Sequence, residues 1–317
     1  MTELIDTECY NRDMKNTHLE HPEDAILQGR AATLQVLDFL KEKSSKVSVK
    51  WDGAPAFVFG HNPENGKRFV GTKSVFNKRK IKINHNHHEI EENHGDNPRV
   101  AAILHTCFEC LPDRAGVWQG DFIGYGGTDT FTPNTITYQF DEKIEDSIVV
   151  AVHTSYTGNK LSEMQADFAS EFDHWSIDKK VKYLSTDAKI TSRRRRVDYL
   201  INLAGVMANI ARFPSDKRAT EIKVEINRCI REQRDIDVKM CPVLISLYKL
   251  ITYIKELLME GIESTEAVSC YIGSELSDHE GYVMTNQYGT YKLVNRRQFS
   301  YANFTVQKQW NKYYILV

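Results

Sequence analysis

The sequence lacks long apolar runs. None approaches the ~18 consecutive apolar residues of a membrane span, so no transmembrane helix is expected. It also lacks an excess of one charge, since 41 Lys and Arg stand against 43 Asp and Glu, for a formal net charge of -2. Any binding of nucleic acid must therefore come from local basic patches. No internal repeat or low-complexity linker interrupts the 317 residues, which suffice for one large domain or two modest ones.

Cysteine is sparse and scattered, with 6 in the whole chain. The opening "MTELIDTECYNRD" is polar and acidic, unlike a secretion signal, and free thiols in a reducing cytoplasm are expected. Cys107 and Cys110 form a lone C-x-x-C without a second pair at zinc spacing, which does not favour a metal site. The His-rich stretch "NHNHHEIEENH" is interpreted as a solvated loop or ordered lid.

Hydrophobic periodicity predicts an α+β chain. One amphipathic helix is expected over 22–43 and a shorter one in "RVAAILHTCFECL". Strands are expected in "VSVKW", "APAFVFG", "KRFVGTKS", "GVWQGDFIGY", "NTITYQF" and "SIVVAVHTSY". From about 161 to 260 the pattern is helical and rich in charge, after which "EGYVMTN" and "TYKLVN" return to strand and "RRQFSYANFTVQKQWNKYY" predicts a final helix. The simplest organisation is a domain formed by residues 1–156 and 265–317, with a helical subdomain, 157–264, inserted into it.

Charged residues within or beside the apolar strands are the chemical signal. They are Lys50 in "KWDG", Lys73 in "VGTKS", Asp121 in "WQGDFIGY", Glu280 in "EGYV" and Lys292 in "TYKLV". Burying a lone charge is costly, so such residues are usually paired or functional. Lysines and carboxylates gathered on one sheet would suit a polyanion with a metal ion.

In this order, these motifs resemble those of the covalent nucleotidyltransferase superfamily, the K-x-D-G polynucleotide ligases and mRNA capping enzymes. "KWDGAPAFVFG" with "GTKSVFNK" is most similar to RNA-ligase-type proteins of large tailed bacteriophages. The resemblance covers residues 46 to about 156 and 279 to 296. It implies an ATP-grasp-like adenylation domain of antiparallel sheets with flanking helices, and for a phage protein the host cytoplasm as location. Too few residues follow Lys292 for an oligonucleotide-binding barrel, so no C-terminal OB-fold is expected.

The resemblance also implies residue roles. Lys50 would attack the α-phosphate of ATP and become lysyl-AMP, while Asp52 would help to position the metal of the leaving pyrophosphate or simply bond the turn backbone. Lys73 would contact phosphate or substrate. Asp121, where the family usually has glutamate, would hold the ribose or the metal ion, Mg²⁺ or Mn²⁺. Glu280 would act at the metal ion or at the nucleophile. Lys292 would clamp the triphosphate.

Two positions depart from the family pattern or are weakly specified. The last motif usually reads K-x-K, but here Val294 stands at the second lysine, so Arg296 either supplies the missing phosphate contact or starts the final helix, facing solvent, with Asn295 as its cap. The adenine-stacking aromatic is expected near "VVAVHTSY", and Tyr156 is the candidate.

The predicted function is an ATP-dependent polynucleotide ligase, with RNA ends favoured over DNA ends and a monomer favoured. Arg193, Arg194, Arg195 and Arg196 would bind the nucleic-acid backbone, or form a solvated charged face. The alternatives are a minimal DNA ligase and a non-ligating protein that kept the fold and binds nucleotides or nucleic-acid ends. At single motifs, Lys50 could be a strand-edge lysine, Asp121 a partner of an arginine, and Glu280-Gly281 the polar start of a hairpin.

Overall fold

A computed structural model describes residues 19–168, 180–193 and 195–305. The architecture is α+β, as predicted. The helices among these residues are α1 (Pro22–Ala25), α2 (Arg30–Lys41), α3 (His87–His94), α4 (Pro98–Cys110), α5 (Arg195–Ile210), α6 (Asp216–Arg231), α7 (Pro242–Met259) and α8 (Arg296–Thr305). None of these helices is long and apolar enough to cross a bilayer.

The strands of the described residues form three sheets. They are β1 (Lys46–Lys50), β2 (Ala56–His61), β3 (Arg68–Gly71), β4 (Val117–Tyr125), β5 (Thr128–Phe131), β6 (Ile136–Ile144), β7 (Ile148–Thr157), β8 (Gln165–Asp167), β9 (Val181–Tyr183), β10 (Asp187–Ile190), β11 (Ile262–Ser264), β12 (Ser269–Ile272), β13 (Glu275–Ser277), β14 (Gly281–Asn286) and β15 (Gly289–Val294). The sheet orders are β11-β10-β1-β14-β15, β13-β12-β6-β5 and β3-β2-β4-β7-β8, and β9 pairs with β7.

The chain forms two compact units. The first unit has Pro55–Phe122 and 152–168 among its described residues, and the second unit has Leu19–Ala54, Ile123–Ala151, 180–193 and 195–305. In the first unit, β2 pairs antiparallel with β3 and β4, and α3 packs on α4. Its core contains Val58, Phe69, Val75 and Val117.

The second unit contains the five-stranded and four-stranded sheets, in which every strand pair is antiparallel. Its main core joins these sheets to α2, α5, α6 and α7. Helix α7 shows why: Leu244, Leu247, Ile251, Ile254 and Leu258 recur at three- and four-residue spacing and are all buried. Lys50 ends β1, the central strand of the five-stranded sheet, so the core of this unit fixes the backbone that carries it.

Several predicted elements are corrected by the structure. The predicted helix over 22–43 is interrupted at Gly29, whose φ of 122° is not helical, and it resumes as α2. The predicted His-rich loop contains α3, because the Asn86 side chain caps that helix by accepting a hydrogen bond from the Glu89 amide. The predicted helical stretch over 161–260 also contains β8, β9 and β10, and β10 pairs with β1. These strands have only three or four residues, too short for a periodic pattern of their own.

The predicted final helix is confirmed over α8, and the rest of its stretch lies outside the described residues. The predicted helical subdomain, residues 157–264, stays a prediction, because the two compact units do not test its boundaries.

Candidate active site

The backbone around Lys50 is fixed on both sides. Val49 is buried in the second-unit core, and Trp51 is only 2% exposed. The Trp51 Nε1–H donates a hydrogen bond to the Ser185 carbonyl over 3.0 Å. The strand end that carries the half-buried Lys50 side chain is therefore held in place by its neighbours.

Asp52 bonds the backbone of a distant segment. Its Oδ1 accepts from the Asn134 side chain at 2.8 Å, and its Oδ2 accepts from the amides of Thr135 at 2.8 Å and Ile136 at 3.0 Å. The Asp52 amide in turn donates to the Tyr138 hydroxyl. Both carboxylate oxygens are thus engaged, which favours the structural alternative for Asp52 over a role at a metal.

Lys50 and Lys292 lie on one face of the sheet. Lys50 stands opposite Gly281, and Ser48 stands opposite Val283, which stands opposite Lys292. Directly opposed residues share a face, and so do residues two apart along a strand. The register of β1, β14 and β15 therefore places both lysines together on the face opposite the buried Val49.

Glu280 joins this pair of lysines. Its Oε2 contacts the Lys50 ammonium in a short ion pair, and the two side chains are 13% and 31% exposed. Burial lowers the pKa of Lys292, and the positive charge of Lys50 lowers it further, while Glu20 and Glu280 oppose the shift. Two cations and a carboxylate thus share a partly desolvated surface, where an anionic group would relieve the repulsion between the lysines.

The backbone at position 281, directly after Glu280, requires a glycine. Its φ is 148°, and a Cβ at this position would lie 2.0 Å from the carbonyl oxygen of Leu293. Only a residue without a side chain lets β14 approach β15 this closely. The glycine therefore permits the close approach of β14 to β15, the strand that carries Lys292.

We expect Gly281→Ala to destabilise the protein by about 1–3 kcal/mol, because it combines backbone strain with a clash. Urea unfolding would measure the change. Gly205→Ala is the matched control: Gly205 lies inside α5, and its Cβ would meet only a side-chain atom at 3.9 Å. That control should be neutral or stabilising, since alanine favours helix. Equal losses for both variants would contradict this role of Gly281.

Arg296 lies in the core of the second unit. It is 6% exposed, and its guanidinium donates to Asp24 and the Tyr248 hydroxyl, each at 2.7 Å, and to Asn227. The prediction that Arg296 could face solvent is wrong. The predicted cap is confirmed, since Asn295 Oδ1 accepts from the Gln298 amide at 3.4 Å. With its donors engaged in buried contacts, Arg296 is a poor candidate for the missing phosphate contact.

Three predicted residues lie in the first unit. Lys73 is exposed and begins a 3-10 helix, Lys73–Phe76, so its predicted place on a strand is wrong. The Asp121 carboxylate lies 3.5 Å from His153 Nε2 rather than against an arginine. Tyr156 is buried, its ring centroid is 4.5 Å from that of Phe76, and its hydroxyl donates to Gln119. A ring packed in this way does not favour stacking on a base.

The arginine run divides at the start of α5. Arg193 donates to Asp198 over 2.7 Å, and Arg194 lies outside the described residues. Arg195 and Arg196 are exposed in the first turn of α5, and the Arg196 guanidinium lies 5.2 Å from the centre of the Tyr253 ring. Arg195 and Arg196 are therefore the members placed to meet a partner.

The predicted metal ligands are divided between the units, Asp121 in the first and Glu280 in the second. Among residues 19–168, 180–193 and 195–305, no three His, Cys, Asp or Glu side chains are arranged to hold a metal ion. Mg²⁺ often keeps several waters and binds through one or two carboxylates with substrate phosphates. Glu280 fits such a site, with the phosphates supplying the other ligands.

Sequence reasoning missed Lys223, which is connected through Glu20 to the strand that carries Lys292. The Lys292 amide donates to the Glu20 carbonyl at 3.0 Å, and the Glu20 carboxylate forms an ion pair with Lys223 of α6. No local pattern could have found this, because Glu20 and Lys223 are 203 positions apart.

A protein-family model described as a family of unknown function (DUF6267) matches residues 16–242 and 206–308. No curated protein and no solved structure matches the chain.

Proposed function

Because the chain belongs to this family of unknown function, DUF6267, we propose its activity from its own residues: an ATP-dependent polynucleotide ligase with Lys50 as the covalent nucleophile. One observation carries the proposal, the placement of Lys50 and Lys292 on one sheet face with the Glu280 carboxylate on the Lys50 ammonium. The motif order K-x-D-G, E-G and a lysine strand supports the same activity.

In the first step, the Lys50 ammonium gives up one proton to become a nucleophile and a second as the product forms. Its nitrogen attacks the α-phosphorus of ATP, a P–N bond forms, the bond to the bridging oxygen breaks, and pyrophosphate leaves with that electron pair. Glu280 contacts Nζ and is placed to accept a proton and pass it to solvent. Lys292 adds a positive charge on the same sheet face and would attract the phosphates.

In the second step, an oxygen of a strand's 5′-phosphate attacks the phosphorus of lysyl-AMP, the P–N bond breaks, and the Lys50 nitrogen takes up a proton to restore the amine. In the third, a 3′-hydroxyl attacks the activated 5′-phosphorus and gives its proton to solvent, a phosphodiester forms, the anhydride P–O bond breaks, and AMP leaves with its electron pair. A Mg²⁺ ion held by Glu280 and the substrate would supply electrostatic stabilisation of the phosphates. RNA is favoured over DNA because of the resemblance to phage RNA-ligase-type proteins.

The test uses the full chain, Mg²⁺ and ATP labelled at the α- or the γ-phosphate, followed by a denaturing gel. Label from the α-phosphate should stay on the protein, and label from the γ-phosphate should not. Nicked RNA, single-stranded RNA and nicked DNA should then be compared as sealing substrates. Nucleotide binding without covalent label would instead favour the non-ligating alternative, and sealing of DNA alone would favour the minimal DNA ligase.

We expect the double variant Arg195→Gln/Arg196→Gln to weaken nucleic-acid binding and flatten its salt dependence. For a single strand, each phosphate that the protein no longer neutralises reduces the magnitude of the negative slope of log K against log salt by about 0.7. Binding titrations at salt concentrations between about 50 and 200 mM would measure the slope. Lys217→Gln/Lys249→Gln removes the same charge from two other exposed positions of the second unit and should change the slope less. Equal slopes for the two double variants would favour the alternative that Arg195 and Arg196 belong to a solvated charged face.

A further inference from the structure

Lys223 of helix α6 is connected through Glu20 to the strand that carries Lys292, and it belongs to no recognised motif. Its ammonium pairs with the Glu20 carboxylate, and both side chains are about one-third exposed, at 36% and 31%. The same Glu20 accepts the Lys292 amide through its carbonyl oxygen. One residue thus connects the β15 lysine to the α6 lysine.

The charges around Lys292 and Lys223 also affect the pKa values of neighbouring groups. The pKa of Lys292 responds to Lys50, Glu20 and Glu280. The pKa of His21 is lowered far below its ordinary value, chiefly by burial and then by cations that include Lys292 and Lys223. His21 is therefore neutral, and it adds no positive charge that could neutralise an anion in place of Lys223.

The ion pair of Glu20 and Lys223 is more exposed than that of Lys50 and Glu280, since its side chains are 36% and 31% exposed for Lys223 and Glu20, against 31% and 13% for Lys50 and Glu280. Glu280 contacts Lys50, and Glu20 contacts Lys223, so each of these lysines is held by a carboxylate. The ion pair of Glu20 and Lys223 is accessible to water, and pairs of this kind are individually weak. A phosphate chain carries more negative charge than one carboxylate and would compete well for the same ammonium.

We propose that Lys223 is a third phosphate-binding lysine of the site, and that Glu20 holds it until the terminal phosphates of a nucleoside triphosphate take its place. This inference rests on the proposed function for the identity of the ligand. It assigns helix α6, about which the resemblance says nothing, to recognition of the triphosphate. Lys223 positions the leaving pyrophosphate and does not itself react.

The experiment is calorimetric titration of the full chain with inorganic tripolyphosphate and, separately, with AMP. Lys223→Ala should weaken tripolyphosphate binding about fivefold to tenfold and leave AMP binding unchanged. Glu20→Gln should strengthen tripolyphosphate binding several-fold, because it removes the competing carboxylate but keeps the backbone carbonyl that holds Lys292. In the double variant, the gain from Glu20→Gln should vanish, since there is no longer a lysine to release.

The sign of the Glu20→Gln effect is decisive. If the ion pair only supports the fold, both single variants should weaken binding, and that result would overturn the inference. Lys217→Ala, at an exposed lysine on the same helix, is the charge control and should change affinity less than twofold. Absence of tripolyphosphate binding by the unaltered chain would also overturn it. Binding that depends on Lys223 in a chain that acquires no AMP label would keep the phosphate site and reject the ligase activity.

Discussion

Lys50→Ala is expected to abolish the covalent AMP label completely. The label should sit on the Lys50 nitrogen as a phosphoramidate, so in the unaltered protein it should be labile in acid and stable in alkali. No other described lysine combines the end of a central strand, a contacting carboxylate and a second lysine on the same face. Without the amine, ATP can still meet Lys292, but no bond to the protein can form.

Lys50→Arg separates loss of chemistry from loss of structure. The guanidinium keeps a positive charge opposite Glu280, but its pKa is too high for it to give up a proton and attack. We expect it to fold normally and to take no label. Lys46→Ala, at the exposed start of the same strand, should label fully. A label of normal strength on Lys50→Arg would mean that the nucleophile lies elsewhere and that "KWDG" has been misinterpreted.

The local parts of this site were predictable from sequence. Alternating apolar residues in "VSVKW", "EGYVMTN" and "TYKLVN" predicted three strands, and β1, β14 and β15 confirm them. The register that places Lys50 and Lys292 on one face follows from strand pairing, which the pattern of one strand does not determine. Sequence reasoning therefore named the residues but could not derive their geometry.

The surroundings of Asp52 and Arg296 depend on long-range contacts. Asp52 lies in an Asp-Gly sequence that is typical of a turn, yet its partners Thr135 and Ile136 lie more than 80 positions away. Arg296 has the pattern of an exposed helix start, yet its partner Asp24 is 272 positions distant. A charged side chain looks the same in sequence whether water or a buried counter-charge solvates it. For Arg296, the packing of α1, α7 and α8 in the second unit places the buried carboxylate of Asp24 against the guanidinium.

That packing surrounds a buried ionic network, in which Lys255 is expected to matter most for stability. The Lys255 ammonium lies 2.6 Å from Glu23 Oε1, and both side chains are 1% exposed. Arg296 also lies 3.6 Å from Glu23, and it contacts Asp24 at 2.7 Å. The other oxygen of Glu23 is buried without a hydrogen-bond partner among the described residues, so this carboxylate depends on few contacts there.

We expect Lys255→Met to lower the free energy of unfolding by about 3–5 kcal/mol, because it leaves the buried charge of Glu23 with only the more distant Arg296. Urea unfolding would measure the loss. Lys249→Met makes the same change at an exposed position of α7 and should stay within about 0.5 kcal/mol. The double variant Glu23→Leu/Lys255→Met should recover most of the loss, since two apolar side chains replace the pair and no charge is left uncompensated. A single variant as stable as the unaltered protein would show that water or Arg296 already solvates Glu23, and the double variant would then bring no recovery.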